Sequence, residues 1–477
     1  MTRYKLLAIY PPGKKFQRGE DRCQASIDDS ITVSQRACND LGYIAAIARL
    51  YNFDSYIIDY PSENKNIDNL IDDLKKIRPD IIFISSTDGA LIDDYETFKI
   101  IKQILPTGII IAKGALFSTL TYNDLNDYEK YIEPLDYAVK GEAEATLNEF
   151  LKYFDDKSKR ETACGLIYKK ENKWIIPEKL AQLENLDVLP FPARDLMKNE
   201  LYIRPDTGKP MATIESSRGC PANCIYCLTP IISGKNVRYR SADNIISELE
   251  ECIAKYNITD FFFRSDTFTI NKKWVCELCD KILEKKINIR WVANARVKPL
   301  DKETLEKMKK AGCWLIAFGI ESGSDESLKK MKKGATVEDA KNSVNLAKNV
   351  GLQIYGFFML GFPWETKNDI KKTIDFAIEL DCDFAEFHIA TAFKGTELYN
   401  SISSKKINIG ANYFGKPTET TENFTVQELL DFRRQAIKKF YLRPRYIYKK
   451  LKKIRNFYQL KTYIFYGLKT LKLIFKK

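Results

Sequence analysis

Met211-Ala-Thr-Ile-Glu-Ser-Ser-Arg-Gly-Cys220-Pro-Ala-Asn-Cys224-Ile-Tyr-Cys227 leads from a strand-like segment straight into three thiols within eight residues. A [4Fe–4S] cluster is held by Cys thiolates, normally four of them. Three from one short loop leave one iron open to a further ligand. Other readings fit less well. A zinc site needs a fourth ligand, and no further Cys or His lies close by in sequence. A redox dithiol would use Cys224 and Cys227 and leave Cys220 without a task. Thiols buried by chance rarely gather so closely.

Around this loop, residues 211–400 alternate strand and helix signals. Strands are expected at Met211–Ser217, Thr259–Arg264, Asn288–Ala293, Trp314–Gly319, Gln353–Leu360 and Phe384–Ala390. Helical patterns follow most of them, at Ala242–Tyr256, Lys273–Lys285, Lys302–Ala311, Val337–Asn349 and Asn368–Leu380. Six such units predict a partial parallel (β/α)6 barrel, whose active site lies at the carboxyl ends of the strands. Residues 1–155 form an earlier alternating series. Its apolar runs at Lys5–Tyr10, Ser55–Tyr60, Asp80–Ser85, Gly108–Ala112 and Asp136–Lys140 are separated by helical patterns. Continuous apolar strands between helices predict a doubly wound, Rossmann-like parallel sheet. Residues 156–210, punctuated by five prolines, read as a linker. Residues 401–477 form a C-terminal extension that ends in basic amphipathic helices.

The motifs beyond the cysteine loop carry a family resemblance. The three-and-two spacing of Cys220, Cys224 and Cys227, with Tyr226 before the last, resembles the signature of the radical S-adenosylmethionine superfamily. Phe262-Phe-Arg-Ser-Asp-Thr-Phe-Thr269, Trp291-Val-Ala-Asn-Ala-Arg296, Phe318-Gly-Ile-Glu-Ser-Gly323 and Met359-Leu-Gly-Phe-Pro-Trp-Glu-Thr366 resemble its subgroup with an N-terminal cobalamin-binding domain. So do Gly141-Glu142 and Leu189-Pro-Phe-Pro-Ala-Arg194, and the resemblance covers nearly the whole chain in order. It implies that the open iron chelates S-adenosylmethionine and that an electron cleaves the sulfonium to a 5′-deoxyadenosyl radical. It implies Tyr226 near the adenine, Asp266 facing the methionyl amine, Glu321 on the ribose hydroxyls and Arg296 as a further polar contact. It also implies an external electron donor such as flavodoxin or ferredoxin. For each of the three polar residues a surface or capping role is the plainer alternative.

The implied activity is methyl transfer to a small or lipid-like metabolite. An oxidative cyclase of the anaerobic magnesium-protoporphyrin ester type is the nearest alternative. A cofactor-binding sensor with an inactive barrel is a further one, and intact cysteines speak against it. The usual Gly-Gly-Glu after the second barrel strand is replaced by Arg264-Ser-Asp266, and Pro-x-Pro-Gly-Thr after the sixth by Ala392-Phe-Lys-Gly-Thr396. Lys394 therefore brings a charge near the barrel mouth, as a substrate contact or a solvated loop residue. The cobalt-ligating Asp-x-His-x-x-Gly of another cobalamin family is absent, and the only histidine is His388 on the sixth barrel strand. Alternation puts Glu386 and His388 on one face, which should point into the barrel. Gly89, Gly114 and Gly141, each just beyond a strand, are candidates for close backbone approach to cobalamin or simply turn residues.

The chain has 477 residues and a net charge of +12. Phe432–Lys477 carries 16 Lys or Arg and no Asp or Glu, so the rest is slightly acidic. Eleven cysteines and no export-type leader fit a reducing cytoplasm. Cys276 and Cys279 fall inside a helical pattern as apolar filler, and Cys23 sits in a charged loop after the first strand. In the tail, Ile447, Leu451, Ile454, Tyr458, Phe465, Leu468, Leu471 and Phe475 recur at helical spacing. This stripe has three possible partners: the protein itself, an anionic membrane surface at ~1 kcal/mol per basic residue, or nucleic acid, for which bare charge is weak support.

Overall fold

The computed structural model describes residues 3–18, 26–31, 35–402 and 423–475. Cys23 lies outside them. Two parallel sheets follow one another along the chain. The first contains β1 (Lys5–Tyr10), β2 (Asp54–Asp59), β3 (Ile81–Ser85), β4 (Ile109–Lys113) and β5 (Tyr137–Val139) in the order β2-β1-β3-β4-β5. Alternate residues of β1 feed opposite faces. Leu6, Ala8 and Tyr10 join one core, Leu7 and Ile9 the other. Two-sided burial is the physical reason these strands read as unbroken apolar runs.

The structure adds two strands that the sequence analysis placed in the linker. β6 (Leu166–Lys170) and β7 (Lys173–Ile175) extend the sheet antiparallel beyond β5. They form an edge with one wet face, so their apolar residues are too few to stand out.

The second sheet holds β8 (Met211–Glu215), then, after the two-residue pair β9 (Ser217–Arg218) and β10 (Arg238–Tyr239), β11 (Asp260–Arg264), β12 (Arg290–Arg296), β13 (Cys313–Glu321), β14 (Gln353–Leu360) and β15 (Phe384–Ile389). All six long strands are parallel and in sequence order. Their pleat sorts two chemistries. Phe261, Phe263, Trp291 and Ala293 pack against the outer helices, while Phe262, Val292, Asn294 and Arg296 line the interior. At the β8 edge, the Thr213 carbonyl accepts bonds from Asn39 Nδ2 (2.7 Å) and Arg194 Nη2 (3.0 Å), which blocks further pairing there.

Buried ions join the two halves. Arg194, from the Leu189–Arg194 motif, bonds Glu248 on a barrel helix at 2.5 Å. Glu142 and Glu144 of the first domain receive Arg238 (2.6 Å) and Arg218 (2.7 Å) from the strands beside the cysteine loop. The first tail helix, Val426–Tyr441, packs along β15, with Arg433 Nε on the Phe387 carbonyl (2.8 Å) and Nη2 on Glu386 (3.2 Å). Two more helices, Pro444–Lys452 and Phe457–Phe475, complete the tail.

Candidate active site

The cysteine loop leaves β8 and is held at several points. Gly219 sits at φ +95°, and a Cβ there would lie 2.2 Å from the Asn236 carbonyl, so only glycine makes this turn. The Cys220 amide donates to Gly234 O (3.1 Å) and the Ile225 amide to Met331 O (3.1 Å). Asp266 accepts from the Gly219 amide (2.8 Å) and the Thr229 hydroxyl (3.4 Å), tying the loop to the end of β11.

Cys220, Cys224, Cys227, Tyr226, Asp266, Arg296 and Glu321 all line one cavity of about 720 Å³ at the barrel mouth. Seven residues spread over a hundred positions of sequence are thus brought to one place. The thiols do not meet at a single point. Among the described residues no three His, Cys, Asp or Glu side chains could share one metal ion. A cluster asks only for one thiol per iron. Burial pushes the Cys227 thiol up to about 11 and also raises that of Cys220, so binding a metal there would release protons.

A polar network backs the loop. Arg296 Nη1 reaches Cys224 Sγ (3.6 Å), and its Nη2 donates to the Lys333 carbonyl. Lys333 Nζ in turn pairs with Glu321 at 2.7 Å, both nearly buried. Glu321 is the last residue of β13 rather than a residue beyond it. A register shift between Gly319 and Glu321, with φ +71° at Glu321, turns its carboxylate into the cavity. Behind the loop, the Tyr226 ring meets Phe362 edge-on at 5.7 Å, and Phe362 stacks on Trp364 at 5.1 Å. The Met359–Thr366 motif is therefore a support for Tyr226, with Glu365 accepting the Gly361 (2.7 Å) and Phe362 (3.0 Å) amides.

His388 does line the cavity, stacked on Phe357 at 5.7 Å, and burial lowers its pKa although Glu386 opposes that. Glu386 is wholly buried and taken up by Arg433 and Ser30 (2.7 Å). Lys394 turns to the first domain, where it pairs with Asp124 beside the Tyr128 ring. Burial lowers its pKa to about 8.

The carboxyl ends of the first sheet face this mouth. Gln17 and Arg36 line the same cavity, and Arg36 stacks 3.8 Å over Phe262. Sequence reasoning missed Arg36, Lys333 and Thr229, because lone basic or hydroxyl residues carry no local pattern. Among the described residues, Gln17 Oε1, Asn39 Oδ1 and Ser85 Oγ are buried without a hydrogen-bond partner at this end of the sheet. The three glycines have neighbours within the chain. A Cβ would lie 2.7 Å from the Phe16 ring at Gly89, 2.8 Å from the Ser86 carbonyl at Gly114 and 2.4 Å from the Ala181 carbonyl at Gly141.

Comparison with known proteins extends this geometry. Residues 214–377 match the Radical SAM superfamily. An uncharacterized methyltransferase of Pyrococcus horikoshii is 32% identical over 86% of this chain and 88% of its own. The anaerobic magnesium-protoporphyrin IX monomethyl ester cyclase of Cereibacter sphaeroides is 23% identical over 82% of this chain and 64% of its own. The radical S-adenosylmethionine methyltransferase TsrM of Kitasatospora setae, solved with cobalamin and a [4Fe–4S] cluster, shares the fold. Its TM-score is 0.71 at 15% identity, over 98% of this chain and 99% of that one.

Proposed function

The chain belongs to the radical S-adenosylmethionine superfamily, and on that premise we propose that it is a cobalamin-dependent radical enzyme transferring a methyl group to a small or lipid-like metabolite. The observation that carries the reading is the cavity that joins the three cysteines, at the carboxyl ends of the second sheet, to Gln17 and Arg36 in the segment that follows β1 of the first. A [4Fe–4S] cluster on Cys220, Cys224 and Cys227 would supply the electron that cleaves S-adenosylmethionine, and cobalamin would carry the methyl group.

The chain's own residues have definite tasks in this scheme. The three thiols leave one iron position open. Asp266, fixed between Gly219 and Thr229, presents a carboxylate to an ammonium beside the loop. Glu321, held by Lys333, faces hydroxyl donors from β13. Tyr226, backed by Phe362, gives an aromatic wall for a planar base. Arg296 places a positive charge beside Cys224. At the carboxyl end of the first sheet, Gln17 lines the cavity and carries a buried oxygen with no partner, which suits the amide rim of a corrinoid. With the one histidine on β15, no imidazole of the first domain could reach its metal. An external one-electron donor of the flavodoxin or ferredoxin class completes the set.

The test is anaerobic reconstitution with iron, sulfide and cobalamin, read by ultraviolet–visible and paramagnetic spectra. The expected protein binds about four irons and corrinoid, and Cys220→Ala, Cys224→Ala or Cys227→Ala each lose the cluster while Cys276→Ala keeps it. A chain that takes up iron equally in all four variants overturns the assignment. Methyl-labelled S-adenosylmethionine then separates the two chemistries: label in the product means transfer, and an unlabelled ring-closed product means the cyclase reaction of the Cereibacter relative.

A further inference from the structure

The third tail helix, Phe457–Phe475, has two faces of opposite orientation. Tyr463, Tyr466 and Thr470 look inward and line the cavity that holds the cysteines. The other face is apolar and open to solvent. Phe457 is 80% exposed, Phe465 61%, Leu468 62% and Phe475 68%. These four residues thus point away from the protein, so docking on the chain itself does not account for them. Single exposed apolar residues are ordinary, but a contiguous row on one helix marks an interaction surface. Lys452, Arg455, Lys461 and Lys472 are exposed around it, and no acidic residue follows Asp431.

The charge selects the partner. A second copy of this face would bring like charges together, whereas an anionic lipid surface complements both the cations and the apolar row. Among the described residues no helix is long and apolar enough to cross a membrane, so the helix would lie along the surface. The cavity has a second mouth at the same place, by the amino ends of β13–β15 and away from the cysteines. Ile447, Leu451 and Leu471 line the cavity and are also exposed, at 43%, 57% and 39%. The inner wall continues through Tyr446 and Phe384 toward Phe357, largely apolar, down to the cysteines.

We infer that the last two tail helices seat the protein on an anionic bilayer, with this second mouth at the lipid surface, so that the substrate is a membrane-borne amphiphile whose hydrocarbon chain enters between the tail and the barrel. This rests on the cavity being the substrate site of the proposed radical enzyme, and its test does not depend on radical chemistry.

Full-length protein is floated with phosphatidylglycerol–phosphatidylcholine vesicles and with phosphatidylcholine vesicles, at low and high salt. Coulomb attraction at a surface is screened within about 10 Å at 0.1 M salt. The expected result is flotation with the anionic vesicles at low salt, at least tenfold weaker on neutral vesicles and reduced by salt. Phe465→Glu with Leu468→Glu should abolish flotation with the melting temperature unchanged, while Val188→Glu, at an exposed site remote in sequence, should float normally. The mouth is tested with cis-parinaric acid, a fluorescent fatty acid. Gly467→Trp, which fills open space in the cavity lining, should weaken its binding at least tenfold without affecting flotation. Wild-type protein that stays off anionic vesicles at low salt overturns the docking. Parinaric acid binding that is absent, or unchanged by Gly467→Trp, overturns the entry route. Neither result touches cluster assembly, which judges the enzyme reading separately.

Discussion

Single residues in this protein divide by whether their neighbours are local. Cys220, Cys224 and Cys227 were legible because the loop itself brings them together. Asp266, Arg296 and Glu321 were legible only by resemblance, through their places at or near the ends of β11, β12 and β13. Lys333 was not legible at all. It sits in the run Lys329-Lys-Met-Lys-Lys333, where nothing distinguishes it until the fold returns it to Glu321. Its importance can be measured. Removing one member of a buried ion pair strands the other charge and costs about 3–5 kcal/mol. Lys333→Met should therefore lower unfolding free energy by about 3 kcal/mol in anaerobic urea titration, within that range. Adding Glu321→Gln should recover a good part of the loss, because the stranded carboxylate is gone. A double variant no more stable than Lys333→Met would show that Glu321 does not depend on this lysine.

At the scale of elements, ten of the eleven long parallel strands fall within two residues of their expected ends, since strands buried on both faces announce themselves as apolar runs; β12 alone runs three residues further. The edge strands β6 and β7, and the ionic joint between domains, did not. The joint is made by side chains far apart in sequence, and Glu142 and Glu144 look like any helix start. Glu144 shows what the joint does. Burial by itself would raise its carboxyl, but the charge and hydrogen bonds of Arg218 dominate and hold it at about 2. A carboxylate with a depressed folded pKa stabilises above its unfolded value near 4.5 and loses that contribution as pH falls toward 2. Glu144→Gln should thus be destabilised at pH 7, yet differ progressively less from the parent chain as pH falls below about 4.5. Thermal melts at neutral and acid pH check this. A constant gap across the range would mean that the Glu144 charge does not support the joint.

The molecule as a whole is two sheets closed over one cavity by a tail, and the tail is where sequence and structure part most clearly. Helical spacing announced amphipathic helices, but a stripe on a helical wheel does not say which way it faces. Packing decides that. The first tail helix is core: Leu429, Ala436, Ile437 and Phe440 are fully buried against β15 and its neighbours. The last two helices are a wall. Tyr446 and Leu473 reach the edge of the barrel core, Tyr446 donates to the Asp383 carbonyl at 3.0 Å and Lys453 pairs with Asp383 at 2.6 Å, while most of the other side chains stay exposed, so their hold on the barrel is peripheral. Ending the chain after Leu442 should accordingly leave both sheets and the first tail helix folded, and the cysteines able to assemble a cluster. What changes is access, because Tyr446, Tyr463, Tyr466 and Thr470 no longer close the cavity. In the reconstituted protein, a water-soluble iron chelator should bleach the truncated chain at least several-fold faster than the full chain, with the initial absorption of the two the same. Equal bleaching rates would mean that solvent reaches the cysteines by another path, through the interface with the first domain, and that the tail does not shield the radical site.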